Sequence, residues 1–177
     1  MSTTPQTMTR GAMKAIAAEL ARSELFHEAP ECILYLVVEQ SHPRDLARGE
    51  ILLSPRRPNH HMYVVLSGSL SVNFEAPDSP VIRELGRGAS VGEMSLIDDS
   101  LPSAYVVAHT DCRVLAIPRA VLFELLAEAN VVTRNMLRLL TRWIKANTVR
   151  IVEDGRKIAE LSAQAQYSPE SDQPERA

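Results

Sequence analysis

A glycine-rich segment, residues 85–108, carries residue types that could hold an anion beside a carboxylate. It reads LGRGASVGEMSLIDDSLPSAYVVA, in which three glycines come before the glutamate Glu93. Glycines allow several backbone N–H groups to converge on one point, and converging N–H groups bind phosphate oxygens. The segment therefore predicts a phosphate-binding cradle with a carboxylate beside it. The alternative for Glu93 is structural, with its carboxylate capping the short helix that follows.

Other reactive residues do not form a catalytic or metal-binding set. Asp98 and Asp99 are adjacent in a predicted turn, where neighbouring carboxylates do not face each other and are usually solvated. His60 and His61 resemble a metal pair, but the sequence places no Cys, Asp or Glu nearby at ligand spacing, so a surface loop is expected. An isomerase or oxygenase on a β-helix would need a metal triad or a paired acid and base. The chain is therefore not expected to be an enzyme.

The elements around this segment have the pattern of an all-β roll. From Arg44 to Pro118, short apolar runs alternate with Gly, Pro, Asn and Ser, which predicts short strands joined by turns. The link Ser67–Ser69 contains Gly68 and predicts a tight hairpin, because glycine adopts a positive φ cheaply. The predicted strands are Ile51–Leu53, Met62–Leu66, Leu70–Phe74, Val81–Leu85, Ala104–Ala108 and Arg113–Ile117.

Helical periodicity flanks the roll on both sides. Two or three short helices are expected between Arg10 and Glu39, and another over residues 121–126. A longer helix begins near Asn130, and its wide apolar stripe predicts a dimer seam, although packing on its own roll is the alternative. Gly155 leaves two outcomes open: the helix ends there, or a second helical segment follows. The stripe consists of Leu137, Leu140, Ile144, Thr148 and Ile151, widened by Met136, Leu139 and Trp143.

These patterns predict an α+β fold, an antiparallel double-stranded β-helix of the jelly-roll or cupin-like β-roll type. N-terminal helices and a long C-terminal dimerisation helix flank the roll. Residues 10–129 form the helical lead and the roll, and residues 130–166 the C-terminal helix and its extension. The polar ends, residues 1–9 and 167–177, are expected to be disordered.

The composition bears on whether nucleic acid or a membrane is a partner of this chain. The chain has 177 residues, 45% of them hydrophobic, and a formal net charge of −3. This negative charge provides no basic field that would attract nucleic acid. Because no apolar run is long enough, neither a leader nor a membrane span is expected. Cys32 and Cys112 each lie in an apolar run, which favours buried reduced thiols. A cytoplasmic protein without direct DNA or membrane binding is expected.

Three motifs together resemble the cyclic nucleotide-binding domains of the catabolite activator protein family and of regulatory domains of kinases and ion channels. Residues 46–52 (LARGEIL) are similar to the family's entry strand, and residues 62–70 (MYVVLSGSL) to its central hairpin. Residues 92–96 (GEMSL) resemble the start of its phosphate-binding cassette. The resemblance runs from about Leu25 to Val149 and implies the β-roll, the dimer helix and a nucleotide ligand.

The resemblance also implies site residues. In the family the cassette glutamate holds the ribose 2′-hydroxyl, nearby amides approach the sugar-phosphate, and an arginine before Ser-Ala clamps the phosphate. Here Pro102 stands at the arginine position. Cations on adjoining loops could replace it: Arg87, Arg83, Arg56, Arg57, His60 and His61. The ligand-binding set implied for this chain is Gly92, Glu93, Met94, Ser103, Ala104 and Arg87, with Asn147 and Thr148 of the long helix facing the purine.

The resulting expectation is a stand-alone, homodimeric regulatory module that senses a ligand. It binds a cyclic mononucleotide or cyclic dinucleotide and signals to a partner protein through its dimer helix; it needs no other cofactor and no metal. Two alternatives follow from Pro102. In one, the pocket is degenerate and the dimer is a protein-interaction scaffold. In the other, the roll senses a different small ligand.

Overall fold

The computed structural model describes residues 8–166, and within the last helix the side chains of residues 130–146, 148, 152, 155–159, 161 and 162. The chain divides into two compact units, Met1–Leu137 and Arg138–Ala177. Among the described residues, no helix combines the length and the apolar character needed to cross a bilayer.

Five helices and eight strands are present in the described part of the chain, and the strands form two four-stranded antiparallel sheets. Sheet A has the order β1-β8-β3-β6 and sheet B the order β2-β7-β4-β5. In chain order the elements are α1 Arg10–Leu20, α2 Glu31–Glu39, β1 His42–Leu46, β2 Ile51–Leu53, β3 His61–Ser67, β4 Leu70–Asn73, β5 Val81–Leu85, β6 Ser90–Val91, α3 Glu93–Ile97, β7 Tyr105–Ala108, β8 Cys112–Pro118, α4 Arg119–Glu128 and α5 Asn130–Gln166.

The two sheets enclose one apolar core, as expected when strands alternate between an inner and an outer face. Sheet A contributes Tyr63, Val65 and Val114, and sheet B contributes Leu70 and Val106, all of them buried. On the outside of sheet A, α1 packs on β3, and α4 packs on β8 and β3. The predicted β-roll fold, with helices before and after it, is confirmed.

Two strands were missed. Strand β1, residues 42–46, has the sequence HPRDL, which lacks apolar alternation, and β6 is only two residues long. Strand β1 exists because it pairs with β8 over its whole length, from His42 opposite Ala116 to Leu46 opposite Cys112. Its formation depends on a partner about 70 residues away, which no local periodicity reveals.

The predicted hairpin at Ser67–Ser69 is wrong in its pairing. Gly68 has a φ of +74°, so the positive φ was predicted correctly. However, β3 and β4 belong to different sheets, and Gly68 packs against the turn that leads into β8. A Cβ added at Gly68 would lie 2.4 Å from the Asp111 carbonyl oxygen and 2.6 Å from Cys112 Cβ. The link is therefore a corner between the two sheets.

The cysteine prediction holds for one residue only. Cys112 lies in the core at the start of β8, where burial raises the pKa of its thiol. Cys32 is exposed in the first turn of α2. The apolar run around Cys32 is helical, so its residues point in several directions, and only Leu34, Val37 and Val38 are buried.

The helix α5 continues through Gly155 to Gln166. Gly155 thus does not end the helix, because it keeps a helical backbone instead of the left-handed conformation that terminates many helices. In the first unit, Asn135 ties this helix to the loop after α1, since its Nδ2 donates to the carbonyl oxygens of Leu25 (3.1 Å) and His27 (2.8 Å).

Candidate functional site

The cassette turns sharply at Gly92, between β6 and α3. Gly92 has a φ of +94°, a conformation that costs little only for glycine. An added Cβ there would lie 3.0 Å from Asn59 Nδ2 and 3.0 Å from the carbonyl oxygen of His61. Both the backbone conformation and the lack of space therefore require glycine. The turn delivers Glu93 directly into the protein interior.

Glu93 is the most unusual side chain of the cassette. It is 2% exposed, and its Oε2 atom has no hydrogen-bond partner. Burial raises the pKa of Glu93, while the backbone N–H groups of Glu93 and Met94, and then the charge of Arg83, act in the opposite direction. A buried carboxylate oxygen without a partner costs about 1–3 kcal/mol or more. The site therefore provides an acceptor for a hydrogen-bond donor from outside the chain.

A buried amide that the sequence did not single out holds this turn in place. Asn59 Nδ2 donates to the Gly92 carbonyl oxygen (2.8 Å) and to Ser95 Oγ (3.1 Å). Asn59 Oδ1 accepts from the His61 backbone N–H at 3.1 Å. Because Asn59 follows Pro58, the sequence pattern predicts an ordinary turn residue there. Its link to a segment more than 30 residues away had no sequence signal.

The other cassette residues lie in different environments. Pro102 is buried, Ser103 is exposed and Ala104 is half-buried just before β7. Met94 is 54% exposed on the first turn of α3. Since Pro102 has neither charge nor N–H, the described cassette offers a phosphate only short side chains and backbone groups between α3 and β7.

The acidic pair Asp98 and Asp99 is structural. Asp98 Oδ1 accepts from the backbone N–H and the hydroxyl of Ser100, closing a turn. Asp99, which has a positive φ of 59°, forms an ion pair with Arg119 at the start of α4. The Arg119 guanidinium lowers the pKa of Asp99. These contacts join the cassette loop to α4 and leave no acid and base facing each other.

The arginines proposed as replacement cations lie in different parts of the fold. The Arg87 guanidinium is directed at helix α1, where its Nε donates to Glu19 Oε2 at 2.6 Å. Arg83 lies on the edge strand β5, and its charge acts on Glu93. Arg56 and Arg57 are exposed in the turn after β2. The Arg87 side chain is therefore held by helix α1.

The expectation of a surface loop at His60 and His61 is wrong for His61, which is the first residue of β3 and is half-buried. Its ring makes an edge-to-face contact with His42 of β1, 5.4 Å between centroids. Burial lowers the pKa of His61, as do the nearby charges of His42, His60 and Arg44. Among the described residues, no group of three or more His, Cys, Asp or Glu could hold a metal ion.

In the second unit, Thr148 is exposed on α5, and its hydroxyl donates to the Ile144 carbonyl oxygen at 2.8 Å. The Asn147 side chain lies outside the described residues. The purine contact assigned to this pair stays a prediction.

Together the two antiparallel sheets and the glycine-rich cassette form a β-roll with a buried carboxylate at the cassette turn. Residues 43–129 match the model of the cyclic nucleotide-binding domain family. The chain therefore carries a cyclic nucleotide-binding domain of the kind found in catabolite activator proteins, a fold of regulatory proteins.

Named relatives agree with this assignment. A CRP-like cAMP-activated global transcriptional regulator of Mycobacterium tuberculosis is 23% identical over 128 residues, 71% of this chain and 57% of the regulator. The catabolite activator protein of Thermus thermophilus has a TM-score of 0.67 at 25% identity, over 75% of this chain and 63% of that protein. A cyclic nucleotide-binding domain from Methylobacillus flagellatus has a TM-score of 0.67 at 26% identity, over 80% and 83%. The chain thus spans less than two thirds of the regulator and of the Thermus protein.

Proposed function

We propose that this domain binds a cyclic nucleotide and that Glu93 receives a ribose hydroxyl. The observation that carries the proposal is the unpartnered Oε2 of a carboxylate that is almost fully buried. Leaving such an atom without a partner is costly in the free protein, and a ligand hydroxyl would remove that cost by donating a hydrogen bond. The helix-capping alternative accounts only for the contact with the nearby backbone N–H groups.

The surroundings of Glu93 support this role. Gly92, Asn59 and Ser95 form a closed set of hydrogen bonds, completed by Ser95 Oγ, which donates to the Gly92 carbonyl oxygen at 3.1 Å. Because these contacts fix the backbone on both sides of Glu93, its carboxylate is oriented before any ligand arrives. Binding then needs little reorganisation of the protein.

Calorimetric titration of the wild-type chain with cyclic AMP, cyclic GMP and cyclic di-GMP tests the proposal. We expect one of them to bind, and Glu93→Gln to weaken it by about 10- to 100-fold, which is the loss of one charged hydrogen bond. Glu84→Gln, on exposed β5, is the matched control and should bind as the wild type does. Absence of heat with all three ligands at millimolar concentration would overturn the proposal.

Signalling requires a second element, and we assign it to α5 acting as a homodimer seam that a partner protein reads. Within the second unit this helix exposes Ile144, Val152, Ile158 and Leu161. Ile144 and Ile158 are two heptads apart, the spacing of a coiled-coil stripe. A second copy of the same helix would cover this stripe.

Light scattering at micromolar concentration tests the seam. A dimer is expected for the wild type and for Lys145→Ala, whereas Ile144→Lys combined with Ile158→Lys should shift the mass toward the monomer. A monomeric wild-type chain would exclude the seam.

The interaction scaffold is a second candidate, and buried Pro102 at the arginine position favours it. If the domain is a scaffold, neither the wild type nor Glu93→Gln should bind a nucleotide. The substitution should then leave both the oligomeric state and partner binding intact. A sensor requires partner binding to change when the nucleotide is added.

A further inference from the structure

Two histidines meet on the inner face of sheet A, although their strands are not neighbours. His42 of β1 and Tyr63 of β3 are both opposite Ala116 of β8, the strand between them. Residues directly opposite in antiparallel strands present their side chains on the same face, and Tyr63 and Ala116 belong to the core. His61 comes two residues before Tyr63 and so shares this face. The rings of His42 and His61 meet there edge to face, with 5.4 Å between centroids.

The groups around the His61 ring oppose its protonation. The ring is half-buried, and burial disfavours a charged imidazolium. The charges of His42, His60 and Arg44 act in the same direction. The Tyr63 ring lies 6.0 Å away, centroid to centroid, and burial raises the pKa of its hydroxyl, so it stays neutral. The other charged groups at this end of the roll are held in ion pairs or buried: Glu50 with Arg44, Asp99 with Arg119 of α4, and Glu93 of α3.

The backbone of His61 forms part of the packing that holds the cassette turn. Its N–H donates to Asn59 Oδ1 at 3.1 Å, and Asn59 Nδ2 donates in turn to the Gly92 carbonyl oxygen at 2.8 Å. The His61 carbonyl oxygen lies 3.0 Å from the position that a Cβ would take on Gly92. Both backbone groups of His61 therefore adjoin the turn that places Glu93 in the interior. Because interiors are closely packed, a displacement of His61 is transmitted to that turn.

We propose that His61 makes the site sensitive to pH: a proton on its ring drives it away from His42, loosens the cassette turn and lowers the affinity for nucleotide. The inference rests on the proposed function, because it concerns regulation of the same site. The pKa of His61 is lowered from 6.5, so the neutral form prevails above that value. The affinity is therefore full above the ordinary histidine pKa and falls as the pH decreases through the folded pKa of His61.

The test is calorimetry at several values between about pH 5 and 8, the range in which histidine charge changes. The ligand is whichever of cyclic AMP, cyclic GMP and cyclic di-GMP the wild type binds most tightly. The wild type should bind about 5- to 10-fold more weakly at the acidic end, a typical coupling between two sites. His61→Gln cannot be protonated in this range and should lose most of this dependence. His60→Gln, a change at the exposed neighbour, is the matched control and should keep it.

A second measurement uses the reciprocity of coupled binding. If a proton on His61 weakens nucleotide binding, the nucleotide must lower the pKa of His61 by the same factor. Nuclear magnetic resonance of the imidazole signals in the wild type, with and without nucleotide, measures this shift, and the His61 signal is assigned by its loss in His61→Gln. His109, exposed after β7, should titrate alike in both states.

The outcomes separate this inference from the proposed function. A wild type that binds none of the three nucleotides at any of these pH values overturns both. A wild type that binds one of them equally well across the range overturns the role of His61 alone. Protonation of Glu93 would also weaken binding in acid, but that dependence would persist in full in His61→Gln, which contradicts the inference. If thermal unfolding shows that His61→Gln does not fold, the wild-type titration decides: a His61 pKa that the nucleotide leaves unchanged excludes the coupling.

Discussion

The chain contains the same dipeptide in the same backbone conformation twice, with opposite electrostatic results. In the turn between β1 and β2, Gly49 has a φ of +85° and precedes Glu50, while in the cassette Gly92 has a φ of +94° and precedes Glu93. Both oxygens of Glu50 have partners, the Arg44 guanidinium at 2.8 Å and the Ala47 backbone N–H at 3.2 Å. Glu93 has one oxygen without any.

The two turns differ in the groups that surround their carboxylates. The hydrogen bond from Arg44 lowers the pKa of Glu50, whereas burial raises the pKa of Glu93. The first turn satisfies its carboxylate internally and stabilises the fold. The second buries its carboxylate and leaves one oxygen without a partner, an arrangement that is common in binding sites and costs stability. A Gly-Glu pair is therefore not a binding motif by itself; its meaning depends on which groups surround the carboxylate.

The largest expected difference between the two turns is in their glycines. Gly92→Ala places a Cβ 3.0 Å from Asn59 Nδ2 and from the His61 carbonyl oxygen, in addition to an unfavourable φ. A loss of about 2–4 kcal/mol in unfolding free energy is expected. Gly49→Ala meets nothing within 4 Å and should lose only about 1 kcal/mol from backbone strain. Denaturant unfolding measures both, and equal losses would contradict the close packing of the cassette turn.

Two buried asparagines distinguish a residue that positions the cassette from one that only stabilises the fold. Asn59 and Asn73 are both buried, and each makes side-chain hydrogen bonds within its own region. Replacing either with Ala leaves buried partners unsatisfied and should cost about 2–3 kcal/mol. Only Asn59→Ala should also weaken nucleotide binding, since Asn73 bonds to Ser71 and Ser79 and not to the cassette. A matching loss of affinity in Asn73→Ala would show that general destabilisation, not positioning, is responsible.

How much the sequence could predict follows from the range of the interactions involved. The short apolar runs between turn residues and the periodicity of α5 are local properties, and they predicted the roll and the long helix. Strand β1 was missed because its polar sequence is extended only through pairing with β8. Asn59 was missed, and the ion pair of Arg87 with Glu19 was not foreseen, because both sets of contacts arise only when distant segments meet. The cassette was identified by its pattern, but its chemistry required the burial of Glu93.

The smallest expected effect is the pH dependence of stability, which compares the carboxyl groups of Glu93 and Glu50 directly. The pKa of Glu93 is raised on folding, so its contribution to stability is greatest below the ordinary glutamate value of 4.5 and is lost as the pH rises through its folded pKa. The pKa of Glu50 is lowered, so its contribution is present above 4.5 and is lost as the pH falls through its folded pKa. Subtracting the unfolding free energies of Glu93→Gln and Glu50→Gln from that of the wild type should therefore give difference curves with opposite slopes in separate pH windows. The Glu50 curve should be shallow, about 0.5 kcal/mol, because its ion pair is partly exposed and screened by solvent. If both curves rise with pH, Glu93 has a partner in the free protein, and its carboxylate is not reserved for a ligand.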